Sequence, residues 1–94
     1  MRIEQTEIYS DKTNAAVVRH PDRRFPGVLV QGDTLYSMCQ SADYICKVAM
    51  NSLPEDQCLE LNDLRNGLWD LLNHYKVVLG EHSIELPFSE VPRA

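Results

Sequence analysis

No apolar run in this chain of 94 residues approaches the ~20 residues that a membrane-spanning helix needs. The first ten residues, MRIEQTEIYS, hold no apolar core of the kind that marks a secretion signal. Basic side chains are scarce, at nine Lys and Arg against fourteen Asp and Glu. That balance argues against general nucleic-acid binding, which depends on cations neutralising phosphates. The cysteines, Cys39, Cys46 and Cys58, are odd in number and form no C-x-x-C pair. Both facts speak against a disulfide framework and fit a reducing compartment, so the expected location is the cytoplasm. No spacing of His, Cys and acidic residues resembles a metal-ligand set, and no metal or cofactor is expected. No nucleophile–base ordering stands out among His20, His74 and His82, so catalysis is not expected and no catalytic residue is named.

What remains is the composition of an ordinary globular protein, 44% apolar and 24% charged, in one expected domain over residues 1–94. Its charge is uneven. Residues 1–32 carry five basic and four acidic groups, and residues 33–94 carry four and ten.

The pattern predicts a β-rich segment over 1–32. RIEQTEIYS alternates weakly, NAAVVRH and GVLVQ are short β-branched runs, and SDKTN is a turn composition. Such short connections favour antiparallel pairing. A first helix is expected over 33–51. Leu35, Met38, Cys39, Ala42, Ile45, Cys46 and Ala49 recur at helical spacing, with Asp33 as N-cap. Cys39 and Cys46, two turns apart, read as buried small apolar residues. Tyr36 and Tyr44 read as rim residues.

A second, long helix is expected over 52–79. Ser52 and Glu55 have capping-box spacing, Pro54 falls in the first turn, and Gly80 is a left-handed stop. Its stripe is Leu61, Leu64, Leu68, Leu71, Tyr75 and Val78. The tail, 80–94, contains SIELPF, which alternates like an edge strand before its prolines. The expected fold is α+β: a small antiparallel sheet of three to four strands with two helices packed on one face.

The densest chemistry lies in RHPDRRFPG, residues 19–27. Pro21 and Pro26 stiffen the loop, and Pro26-Gly27 reads as a type II turn. Arg19, Arg23 and Arg24 carry guanidinium forks suited to carboxylate or phosphate. With His20, Asp22 and Phe25 they form the candidate ligand- or partner-binding set. The bland alternative pairs the arginines with Asp22 and the acidic second helix and buries Phe25. In QGDTL, Gly32 precedes a helix start where anions can bind, but Asp33 opposes phosphate and ordinary capping is the simpler reading. The long helix raises a second candidate surface. Trp69, Leu72 and Tyr75 are the expected interface of a homodimer, unless the first helix and the tail cover the stripe within one chain.

The run RHPDRRFPGVLVQGDTL, residues 19–35, resembles a family of short uncharacterised bacterial proteins that share a basic loop, an FPG turn and a QGD helix start. The resemblance implies a bacterial cytosolic origin and a small standalone domain, and it assigns no catalytic residue. The expected function is an interaction protein that binds another protein, as an immunity or regulatory partner would. The alternative is a small anionic ligand or nucleotide held by Arg19, Arg23 and Arg24.

Overall fold

A computed structural model describes residues 1–90. The expectations for the last four residues lie outside that range. The architecture is α+β, with a three-stranded antiparallel sheet and two helices, the second long. The chain forms two compact units, residues 1–31 and the segment from Gly32 onward.

The first unit is a meander of β1 (Glu7–Ser10), β2 (Ala15–Arg19) and β3 (Gly27–Val30), in that spatial order. Its connections, 11–14 and 20–26, are too short for any parallel crossover. Thr13 fastens the first turn: its hydroxyl donates to the Ala15 carbonyl at 2.8 Å and accepts from the Ala15 N–H at 3.3 Å. Register sets Glu7 opposite Arg19 and Ile8 opposite Val18, then slips so that Ser10 faces Val17. Tyr9 is the extra residue of that bulge. β2 and β3 pair without interruption, from Ala15 with Val30 to Val18 with Gly27.

The second unit holds α1 (Gly32–Ala49) and α2 (Glu55–Glu81). α1 starts one residue earlier than expected, so Asp33 lies inside the first turn and not at the cap. Its Oδ1 still accepts a free first-turn N–H, that of Thr34, at 2.9 Å. Its negative charge also suits the positive end of the helix dipole, as Lys47 suits the other end. The buried glycine has a packing reason. A Cβ on Gly32 would overlap the Tyr75 ring, 2.5 Å from Cε1 and closer still to the ring's far end.

Both ends of α2 correct the sequence reading. Pro54 is the N-cap, with φ −56° and ψ 155°, and no side chain caps the helix. Glu55 is therefore the first helical residue and cannot reciprocate with Ser52, so the capping box does not form. The Cys58 N–H closes the first turn onto the Pro54 carbonyl at 3.0 Å. At the other end Gly80 stays helical, and no glycine has positive φ. Ser83 takes the left-handed conformation instead, at φ 55°. Its N–H donates to Gly80 O at 3.2 Å and the Ile84 N–H to Leu79 O at 2.9 Å. These are the two bonds of a Schellman motif, with serine where glycine is usual.

The helices run antiparallel. Gly32 meets Tyr75, the Trp69 indole donates to Asp43 Oδ1 at 3.0 Å, and the Cys46 thiol approaches Leu61 O at 3.8 Å. The core lies along this seam: Tyr36, Cys39, Trp69 and Leu72, with Leu35, Leu68, Tyr75 and Phe88 packed around it. Tyr36 is thus a core residue and not a rim one. Cys39 and Cys46 are buried as expected, and the three cysteines form no disulfide with one another.

The tail gives a further correction. Residues 84–90 form no strand. Pro87 has no N–H to offer a sheet ladder. The segment instead folds back on the helices: Phe88 stacks on Tyr36, with ring centroids 4.2 Å apart at 11°, and Glu90 pairs with Lys76 at 2.5 Å. Among the described residues, no helix is long and apolar enough to cross a membrane.

Candidate functional site: an arginine-lined cleft

The β2–β3 connection begins at Arg19, the last residue of its strand. The Arg23 N–H donates to His20 O at 2.9 Å and closes a four-residue turn, with Pro21 at the corner where proline's fixed φ is favoured. The Asp22 N–H donates to His20 Nδ1 at 3.2 Å and braces the same turn. The type II turn expected at Pro26-Gly27 is not adopted, because Gly27 has no positive φ and already belongs to β3. The stiff corner therefore sits at Pro21, directly before Arg23 and Arg24.

The pairing of β1 with β2 decides what happens to Arg19. Register places Glu7 across from it, and the two side chains form an ion pair. Tyr9, two residues along β1, donates its hydroxyl to the other Glu7 oxygen at 2.5 Å. The Arg19 guanidinium, followed by the Tyr9 hydroxyl, holds the Glu7 carboxyl below the usual glutamate range. In return, the bond to Glu7 pushes the Tyr9 phenol and the Arg19 guanidinium upward.

Asp22 is occupied too, but not by its neighbours. It pairs with Arg2 at 3.3 Å, and Arg2 also reaches Glu4 at 3.0 Å. Arg23 and Arg24 have no ion pair among the described residues. Arg24 stands 5.2 Å from the centre of the Phe25 ring, which is 70% exposed and plugs no core. His20 is exposed as well.

These elements enclose an open cleft of about 570 Å³, lined by Gln5, Thr6, Glu7, Arg19, Pro21, Arg23 and Arg24. Three guanidinium groups face one carboxylate there. The Thr6 hydroxyl and the Gln5 amide add neutral donors. Such a set can bind an anion by charge-assisted, forked hydrogen bonds. Sequence reasoning found the three arginines and missed Gln5, Thr6 and Glu7. These residues reach the cleft only because β1 pairs beside β2 in one register.

The three residues expected at a dimer interface are placed differently. Trp69 and Leu72 are buried in the helix seam of their own chain, and Tyr75 is half-buried against Gly32. Among the described residues, no three His, Cys, Asp or Glu groups gather in a way that could hold a metal.

Fold and cleft together define a small α+β protein with an arginine-lined cleft on its sheet unit. The chain belongs to a family of unknown function (DUF6959), whose family model matches residues 1–88. The match extends well beyond the run that carried the resemblance. Neither a curated protein nor a solved structure matches the chain.

Proposed function

We propose that this chain is a non-enzymatic binding protein that holds an acidic segment of another protein at the Arg23–Arg24 cleft, in the manner of an immunity or regulatory partner. The observation that carries the reading is the pair of arginines without ion pairs beside an open cleft of about 570 Å³. A surface that spends its own carboxylates on Arg2 and Arg19 leaves two forks for a partner. Pro21 and the bonds around His20 hold the loop in place before binding, which lowers the ordering cost of association. Exposed Phe25 beside Arg24 adds the aromatic and arginine character typical of interface anchors.

The concavity favours a second reading, a small phosphate-bearing ligand, for which Thr6 and Gln5 supply the extra donors. Titration calorimetry with a Glu-rich peptide, inorganic phosphate and a nucleoside triphosphate separates the two. The first reading expects peptide binding that weakens with salt and is lost in Arg23→Ala/Arg24→Ala. That variant should unfold within about 0.5 kcal/mol of the parent, as surface changes usually do. Phosphate or nucleotide binding without peptide binding assigns the second reading. A destabilisation of several kcal/mol would make the arginines structural and end both.

A further inference from the structure

The cleft already contains a carboxylate. Glu7 lines it together with Arg19, Arg23 and Arg24, so three guanidinium groups face one acid. Both oxygens of that acid are engaged. Oε1 pairs with Arg19, which strand register sets directly opposite. Oε2 accepts the Tyr9 hydroxyl at 2.5 Å, from two residues along the same strand. Arg23 and Arg24 have no such partner among the described residues. The Glu7 and Arg19 side chains are 55% and 37% exposed. An ion pair that open to water adds little stability. Its two halves can part while the β1–β2 pairing holds the strands together. Glu7 thus occupies one arginine of the three as a bound acidic side chain would.

Resting on the reading of the cleft given above, we infer that Glu7 is an internal stand-in for the partner's carboxylate and determines specificity: a segment with clustered carboxylates displaces it from Arg19, and a lone carboxylate does not. The physical reason is tethering. A carboxylate carried on the neighbouring strand meets Arg19 at an effective concentration on the order of millimolar or higher. A free carboxylate at micromolar concentration cannot compete with that. A segment already held by Arg23 and Arg24 can, because its next carboxylate is then tethered as well. Charge works in the same direction. Until it leaves, Glu7 repels each incoming anion, a cost that several carboxylates offset and a single one does not. The Arg19 guanidinium, followed by the Tyr9 hydroxyl, holds the Glu7 carboxyl below the usual glutamate range. The stand-in is therefore charged, and in place, throughout the neutral range. Displacement frees the Arg19 fork for the partner, so the engaged cleft presents three arginines where the resting cleft presents two.

Two measurements on the full chain test this, with a Glu-rich peptide and a peptide of equal length carrying one Glu among neutral residues. In calorimetry, Glu7→Gln should bind the Glu-rich peptide about five- to tenfold tighter than the parent, since the Glu7–Arg19 pair is no longer given up and the repulsion is gone. Asp11→Asn makes the same change of charge in the turn at the other end of β2, and should alter affinity by less than about twofold. In NMR, saturating the parent with the Glu-rich peptide should move the Glu7 carboxyl titration up towards the ordinary value, and the single-Glu peptide should leave it in place. Glu7→Gln binding no tighter than the parent, with binding still lost in Arg23→Ala/Arg24→Ala, would overturn the inference and leave the reading of the cleft standing. So would equal strengthening by Asp11→Asn, or a Glu7 titration that stays put with the Glu-rich peptide or moves as far with the single-Glu one. Binding that survives Arg23→Ala/Arg24→Ala, or no binding by either the parent or Glu7→Gln, would overturn both together. The NMR measurement uses the parent chain, so the test holds even where Glu7→Gln misfolds.

Discussion

Gly32→Ala should destabilise the protein, although alanine is the better helix former. The added Cβ would sit 2.5 Å from Tyr75 Cε1 and nearer to the end of the ring. Ordinary contact begins at 3.4 Å, so the ring must retreat by roughly 1 Å. It cannot do so freely, because Tyr75 packs on the cluster of Tyr36, Cys39, Trp69 and Leu72. Overpacking of this kind costs about 1–3 kcal/mol. The helix-propensity gain is at most about 1 kcal/mol, and less at the first residue of a helix. The net loss should be ~1–2 kcal/mol. Removing the ring should reverse the sign: in a Tyr75→Ala background, Gly32→Ala should stabilise by ~0.5 kcal/mol through backbone entropy alone. Urea unfolding followed by Trp69 fluorescence across the four proteins of this double-mutant cycle measures a coupling of ~2 kcal/mol. If Gly32→Ala has the same effect in both backgrounds, within ~0.5 kcal/mol, the close approach is not what requires glycine.

The end of α2 gives a second stability pair: Gly80→Ala should stabilise by ~0.5–1 kcal/mol, because Gly80 is helical with open space at its Cβ. Ser83→Gly should also stabilise, by ~0.5–1 kcal/mol, by relieving a left-handed non-glycine residue; destabilisation by Gly80→Ala in thermal melts would return the helix stop to Gly80. With a thiol reagent, Cys58 should label first and Cys39 last in the native protein, since Cys58 is half-buried and Cys39 fully enclosed; comparable native rates at all three would contradict the packing. Glu7 should titrate below the ordinary glutamate value of ~4.3. A depressed carboxylate contributes stability above its unfolded value and loses it as pH falls through the folded one, so the Glu7–Arg19 clasp should be intact at neutral pH and open only in acid. Carbon-detected NMR titration of the Glu7 carboxyl reads this, and an Arg19→Gln variant should move the midpoint back towards the ordinary value, with the Tyr9 hydroxyl still holding it slightly below.

The sequence by itself determined the kinds and order of elements: three short strands, then two helices, the second long. Local rules suffice for that. β-branched runs between turn residues and apolar recurrence at three and four residues act within a few neighbours. The same rules marked RHPDRRFPG as the chemically dense loop and read Cys39 and Cys46 as buried. Tertiary structure alone decided the uses. The apolar stripe read from α1 and α2 divides: Cys39, Cys46, Leu68 and Tyr75 join Tyr36, Trp69 and Leu72 in or against the seam, while Met38, Ile45, Leu64 and Leu71 stay exposed, because periodicity gives a face's composition and not which part a partner helix covers. SIELPF alternates like a strand, yet Phe88 stacks on Tyr36, since a ring gains more from a stacked aromatic neighbour than an edge strand gains from a proline-broken ladder. Gly32 looked like an anion site or a cap and is required by a ring 43 residues away in sequence. Glu7 became the partner of Arg19 through strand register. That long-range pairing leaves Arg23 and Arg24, and not Arg19, without an ion pair among the described residues.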